Sequence, residues 1–427
     1  MSRAKPCIGR AVCRAILAMF LMGIPATAAG QDLAVTGGTV HTVSGDVLEG
    51  ATVLVQDGRI VALGHGVQIP AGTPILDATG RVVTPGLFDA TTSIGLVEVG
   101  MVSSSVDSRL DGDPVRAAFD VVDGINPRSV LIPVNRAAGL TTVLTAPGGG
   151  LISGQAAIID LTGSSTDEMV AVSGAAMIAN FSAGAAGGAR GGASLRLREV
   201  LDDARFWHDN RAAFDAGNTR GLSASRLDFE ALGRVLEGEI PLIVYVNRAA
   251  DIEAVLRIAA DFELELVIAG AAEGWLVADR LAAAHVPVIV KPLTNNPAGF
   301  DRLGARFDNA SLLHLAGVEV VIGSFNSHNA RWLTLEAGNA VRFGLPWDVA
   351  LRAVTLAPAQ AVGAGDDYGS LDPGKVGNLV VWTGDPFELS TRAETVIIRG
   401  IVTSPDNRQS ELLRRYRYLD ERSPDPK

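Results

Sequence analysis

"PGLFDATTSIG", residues 85–95, is the stretch on which the reading of this chain turns. A Pro-Gly pair punctuates the chain, and the apolar run "GLFDATT" that follows reads as a buried strand. From here to about residue 360, apolar runs alternate with helical patterns. The candidate strands are "GLFDATT" (86–92), "LTTVLTA" (140–146), "AAIIDL" (156–161) and "AAMIANF" (175–181). They continue with "PLIVYV" (241–246), "LELVIAG" (264–270), "VPVIVKP" (286–292) and "VEVVIGS" (318–324). The later ones are continuous and apolar, as strands covered on both faces must be. Stretches such as 249–263 and 273–285 between them have helical spacing. Strand–helix–strand repetition implies parallel pairing, and eight units predict an α/β fold built on a (β/α)8 TIM-like barrel. The third or fourth strand can instead belong to a hairpin insertion.

Outside this segment the pattern changes. Residues 51–64, "ATVLVQDGRIVALG", are two alternating runs around Asp57-Gly58, a hairpin turn. Residues 71–86 add a strand pair, and residues 366–403 again carry short strands split by Gly, Pro and Asp. Neither end is large enough to be stable alone. The expectation is one small β-sandwich formed by both chain ends, residues 30–84 and 361–404, with the barrel, 85–360, inserted between them. Residues 182–194, "SAGAAGGARGGAS", read as a flexible loop. Residues 405–427 read as a polar tail, a short helix followed by disorder.

The first 29 residues read as a secretory signal peptide: Arg3, Lys5, Arg10 and Arg14, then the apolar "AILAMFLMGIPA", then Ala26-Thr27-Ala28 as a cleavage site. The apolar run is too short to span a membrane. The expectation is an exported protein, with a bacterial periplasm suggested by composition. Cys7 and Cys13 both fall in this segment, so the mature chain has no thiol for a disulfide, a nucleophile or a metal. Removing the signal moves the formal charge from -11 to about -15. That acidity argues against nucleic-acid and anionic-membrane partners.

The chain resembles the amidohydrolase superfamily, in particular its imidazolonepropionase-like branch. The likeness rests on "DGRIVALG" (57–64), "DATGRVVTPGLFDA" (77–90), "NRAADIEAVLRIA" (247–259), "GSFNSHNARWLTLEAGNAVRFGL" (323–345) and "GSLDPGKVGNLVVWTGDP" (369–386). It covers nearly all of the mature chain. It implies hydrolysis of non-peptide C–N bonds, in cyclic amides, amidines or small peptides, with zinc or another divalent metal activating water. The ligands it implies are a His-x-His after the first barrel strand, single histidines after the fifth and sixth, and an aspartate after the eighth. Matched position by position, Thr91 and Ser93 stand at the His-x-His, Tyr245 at the fifth strand, Gly270 near the sixth, and Phe325 at the aspartate. None is a zinc ligand. The expectation is therefore no metal, no other cofactor, and a metal centre lost from the family pattern, a pseudoenzyme in that sense.

Other polar residues fall at the barrel mouth: Asn247, Arg248, Glu273, Lys291, Asn326 and His328. Lys291 can stand in for the metal's charge, or run to the surface or pair with Glu273. His328 can be a general base, or fix the loop before the last helix. Asn247 and Arg248 can contact a ligand or cap a helix. "GGGLIS", 148–153, can cradle an anion or form a tight βα turn. Asp107, Asp111 and Asp113 lie in the long loop after the first strand. Of the other histidines, His41 and His65 fall in the end strands, His208 and His314 in helical segments, and His285 precedes a barrel strand. The candidate catalytic groups are His328, Lys291 and Tyr245. Two functions stay open: a hydrolase working without the usual metal, or a non-catalytic small-molecule binder. The second includes an inactive partner of an active paralogue, and homo-oligomers fit either.

Overall fold

The computed structural model describes residues 30–185 and 188–417. The signal segment and the end of the polar tail lie outside the described residues. Sixteen strands are described, in two sheets. The first sheet uses β1 (Leu33–His41), β2 (Val47–Gln56), β3 (Arg59–Gly64), β4 (Ile75–Asp77) and β5 (Val82–Pro85) from one end of the chain. From the other end come β14 (Leu379–Trp382), β15 (Ala393–Ile398) and β16 (Ile401–Val402). The ends meet where β5 pairs antiparallel with β14, Val83 opposite Val381. Residues from both ends, among them Val35, Val53, Ile60, Val83, Leu379 and Ile397, share one apolar cluster. The β2–β3 turn has Asp57 at φ 48° and Gly58 at φ 77°. Two left-handed residues are what a tight hairpin matching the strand twist requires.

The second sheet holds β6 (Leu87–Thr92), β7 (Leu140–Thr145), β8 (Ile152–Asp160), β9 (Val170–Asn180), β10 (Leu242–Val246), β11 (Leu266–Gly270), β12 (Val288–Val290) and β13 (Val320–Ile322). Spatial order follows chain order, giving a nearly closed barrel sheet. All eight expected strands are in it. β8, the third strand, runs antiparallel to both β7 and β9, which departs from all-parallel pairing and matches the hairpin alternative. The cause is connection length. Residues 146–151 link β7 to β8 without a helix, and a parallel crossover needs about a dozen residues or more.

Inward side chains, including Phe88, Leu144, Ile158, Ile178, Ile243, Val267, Ile289 and Val321, fill the barrel. Alternate residues such as Val143, Val244, Ile268 and Ile322 face the surrounding helices. The helix Ala249–Phe262 shows why those helices form. Ile252, Val255, Ile258, Ala259 and Phe262 are buried at helical spacing, and Glu263, at φ 58°, ends the helix in a left-handed turn. Gly86 of the opening stretch is needed for close approach, since a Cβ there would lie 2.0 Å from Thr141 Oγ1. A second cluster joins the two sheets. Asp160, fully buried at the end of β8, accepts from Arg399 Nε (2.7 Å), Thr142 Oγ1 (2.8 Å), Asn378 Nδ2 (3.0 Å) and Tyr368 OH (3.2 Å). The tail carries a helix, Arg408–Tyr416, capped by Asn407. No described helix is long and apolar enough to cross a membrane.

Candidate functional site

In barrels of this kind the chemistry sits at the C-terminal ends of the strands. At the end of β6, Thr91 is buried and its hydroxyl is used twice. It donates to Asp89 Oδ1 (2.9 Å) and accepts from Phe325 N (2.9 Å). No ladder joins β13 to β6, and this hydroxyl is one of the links across the gap; Ser324 N donating to Asp89 Oδ1 (3.2 Å) is another. Ser93 donates through Oγ to Ala146 O (2.9 Å) and through its N–H to Ser327 Oγ (3.0 Å). Thr91 and Ser93 thus hold strand ends and loops together.

Phe325 sits at φ 50°, a left-handed conformation that a bulky side chain adopts only under constraint. Its ring meets Tyr245 edge-on at 5.9 Å, so an aromatic pair closes over the barrel axis. Gly270, at φ 95°, lies beside Asn247, where a Cβ would come within 2.8 Å of Oδ1. Among the described residues, no three His, Cys, Asp or Glu side chains gather closely enough to hold a metal ion. Hydroxyls already spent on Asp89 and on backbone groups, a phenyl ring and a glycine form a poor donor set for zinc.

Several of the other expected residues have structural posts. Glu273 is buried; its two oxygens accept from Ala249 N (3.1 Å) and Gly304 N (2.9 Å), so it caps the helix after β10 and ties down the loop after β12. It does not pair with Lys291. Arg248 occupies the N-cap position of that helix, exposed and without a side-chain cap bond. Asn247 donates to Asp301 (3.1 Å). Asn326 accepts from Asn329 N (2.9 Å) within its own loop. His328 is exposed, its Nε2 3.1 Å from Glu98 O, while Ser93 bonds instead to Ser327 and Ala146. "GGGLIS" is the turn of the β7–β8 hairpin and the start of β8, not a βα turn. Asn180 Nδ2 pins it by donating to Gly150 O (3.1 Å) and Ser153 Oγ (2.9 Å). Asp113 caps its own turn by accepting from Val115 N (2.9 Å). Among the remaining histidines, His41 packs on Trp347, His208 faces Glu237 at 3.4 Å, and His285 lines a cavity at the opposite end of the barrel.

Two carboxyl groups that sequence reasoning passed over lie at the mouth. Asp89 is fully buried; Oδ1 takes three donors, Thr91 N, Thr91 Oγ1 and Ser324 N, while Oδ2 has no partner. Burial raises its pKa, and its hydrogen bonds only partly oppose that. Glu336 accepts from Leu293 N (2.6 Å) and is pushed up to about 7, mainly by burial, with Asp89 adding to the rise and Lys291 opposing it. Burial, then the nearby Asp89 charge, also raises the Tyr245 phenol above its ordinary range. Lys291 is half-buried and forms no ion pair among the described residues. A sequence signal existed for Glu336. It interrupts the buried stripe Leu333, Ala337, Ala340 of its helix with one charge. Asp89 is likewise the only charged residue of its strand.

A cavity of about 260 Å³ opens at the mouth, above the ends of β9 and β10. Phe181, Arg190, Tyr245, Asn247, Asp251 and Phe300 line much of it. A larger one, about 570 Å³, lies at the barrel base between Pro241, Leu264 and His285, at the starts of strands, where barrels of this class do not build their sites.

The comparisons with known proteins agree with this architecture. A sequence model described as the amidohydrolase family matches residues 256–403. The chain is 25% identical over 390 residues to the amidohydrolase tasK of Hapsidospora irregularis, which covers 83% of this chain but only 40% of that protein's length. It is 24% identical over 392 residues to the imidazolonepropionase of Sphingopyxis alaskensis, covering 84% of this chain and 93% of that one. The crystal structure of an amidohydrolase from Thermotoga maritima superposes with a TM-score of 0.80 at 27% identity, over 87% of this chain and 99% of that one. Sequence and fold together support a place for the chain in the amidohydrolase superfamily, near its imidazolonepropionase-like branch.

Proposed function

We propose that this protein is an exported amidohydrolase-family chain whose barrel mouth takes a small molecule without the divalent metal its family uses. One observation carries the reading: where the family pattern places ligands, Thr91 and Ser93 spend their hydroxyls closing the barrel, and Tyr245 and Phe325 pack on each other. A donor set of this kind supports ligand binding rather than Lewis-acid hydrolysis. The ligand class follows the family, a compound with a non-peptide C–N bond. We read the sheet shared by the chain ends as a small sandwich that braces the barrel. No nucleic-acid or membrane partner is proposed. A second copy, or a paralogue with intact histidines, is the protein partner this reading allows.

One observation favours residual hydrolysis as a second reading. Glu336, buried and accepting from Leu293 N (2.6 Å), is pushed up by burial to about 7, the range where a general acid or base works best.

The test is a melting experiment on the mature chain with zinc, with manganese and with a chelator. A ligand that binds the folded state stabilises it by RT ln(1 + [L]/Kd), about 4 kcal/mol at a thousandfold excess over Kd. The proposal expects no rise with either metal and no fall with chelator; a rise of that order refutes it. Export is tested by N-terminal sequencing of secreted material, expected to begin at or next to Ala29.

A further inference from the structure

The base of the barrel carries a groove. Its main cavity, about 570 Å³, adjoins a second of about 240 Å³ across His285 and Val286. The floor is apolar, built by Pro241, Leu256, Leu264, Val286 and Pro287. Glu263 and Glu265 are exposed at its edge and enter no ion pair among the described residues. Glu319, in the smaller cavity, is answered by Arg352 at 3.0 Å. Three helices end alike before β11, β12 and β13, with Leu264 N donating to Ala259 O, Val286 N to Leu281 O and Val318 N to Leu313 O. Each of these turns passes through one left-handed residue. At the third it is Gly317 (φ 89°), the usual choice. At the two that line the main cavity it is Glu263 (φ 58°) and His285 (φ 54°), so side chains are kept there against the backbone preference.

Elsewhere the chain carries an uncovered apolar stripe. In the helix Arg408–Tyr416 no residue is buried. Leu412, Leu413 and Tyr416 share one face by helical spacing, and Leu413 and Tyr416 are 62% and 56% exposed. Arg408 and Arg415, seven residues apart, run along one edge of that stripe, and Arg415 lies over the Tyr416 ring at 5.5 Å. Arg414 is already paired with Asp406. The helix carries Arg408, Arg414 and Arg415 against Glu411 alone, in a chain of formal charge -11.

We propose that the groove at the barrel base receives the helix Arg408–Tyr416 of a second copy of this chain. The Leu412, Leu413 and Tyr416 stripe lies on the apolar floor, and Arg408 and Arg415 face Glu263 and Glu265. The stripe supplies most of the binding, and the opposite charges set its direction in the groove. Each copy offers one helix and one groove, so a twofold axis closes the pair as a dimer. The contact lies at the end of the barrel opposite the mouth and is independent of what the mouth binds.

The test uses the mature chain, which has no cysteine of its own. Leu413→Cys is made in one preparation and Ala260→Cys, at an exposed position beside the groove, in another. Mixed under mild oxidation, they are expected to give a disulfide-linked pair holding one chain of each kind. A chain carrying both cysteines serves as the control for a link within one copy. Sedimentation velocity then follows the unlinked dimer. Leu412→Ser with Leu413→Ser is expected to weaken it about thirtyfold or more, the loss of a central apolar anchor. Glu263→Arg with Glu265→Arg is expected to weaken it about tenfold, and adding Arg408→Glu with Arg415→Glu to restore it. All six positions lie on the surface, and melting curves matching wild type show that the variants fold. A wild-type chain that sediments as a monomer throughout the micromolar range overturns the proposal. So does a dimer that both sets of substitutions leave intact, absence of the mixed disulfide, or a link that forms only within the doubly substituted chain.

Discussion

Thr91→Val removes a buried hydroxyl at the end of β6 while keeping the branched shape. Two hydrogen bonds go with it, the donation to Asp89 Oδ1 and the acceptance from Phe325 N, both 2.9 Å. The first serves a carboxyl group and the second leaves a backbone N–H without its partner. Bonds to charged groups contribute about 1.5–3 kcal/mol, and an unsatisfied buried donor costs about 1–3 kcal/mol. Allowing for partial relaxation, the loss is about 2–4 kcal/mol. With an m-value of about 3 kcal/mol/M, a loss of 3 kcal/mol lowers the urea midpoint by about 1 M. The assay is urea unfolding of wild type and variant, followed by tryptophan fluorescence and circular dichroism, in metal-free buffer. A midpoint change worth less than about 0.5 kcal/mol, the size of an ordinary surface substitution, would refute the structural post assigned to Thr91.

Asp160→Asn and Arg399→Met each strand one member of the buried pair that docks the end sheet on the barrel. Each should cost about 3–5 kcal/mol, read as a fall in Tm; a Tm within a degree or so of wild type contradicts that role. Glu336 is raised from 4.5 to about 7 in the folded chain, so the folded state holds its proton more tightly than the unfolded state. Its stabilisation is complete below about pH 4 and is lost as pH rises through 7, about 3 kcal/mol in all. The wild-type urea midpoint should therefore fall more steeply between pH 5 and 8 than that of Glu336→Gln, and parallel profiles would exclude the shift. Glu273→Ala should free Ala249 N and Gly304 N together. Faster amide exchange at the start of that helix and around residue 304 checks it, and unchanged protection contradicts it.

The eight barrel strands were legible because each is a compact apolar run between turn or helix patterns, and burial on both faces leaves little room for polar residues. The direction of β8 was legible only as an alternative, a hairpin insertion at the third or fourth strand. Direction depends on the length and geometry of residues 146–151, and an apolar run reads the same both ways. The Asp57-Gly58 hairpin was legible because its left-handed residues restrict the choice of side chains. At the mouth, Thr91, Ser93, Tyr245 and Phe325 were singled out by position, but their partners could not be read. That Thr91 bonds to Phe325, more than two hundred residues away, is a property of barrel closure. Glu273, His328 and Asn326 read as candidate site groups because they follow strands. They turn out to serve loops and helix ends, the commoner fate of polar residues at such places. Asp89 and Glu336 were hidden inside apolar segments, where a single charge is easily passed over and burial is what gives it interest.

The most direct test of the central claim is the metal content of the purified mature protein. The chain is grown with added zinc and manganese and measured by plasma mass spectrometry. The account predicts less than about a tenth of an equivalent of any transition metal, because the residues at the ligand positions cannot form a closed or open zinc site. A value near one equivalent, retained through gel filtration, would contradict it and would mean that the metal is held by groups other than those at Thr91, Ser93, Tyr245, Gly270 and Phe325.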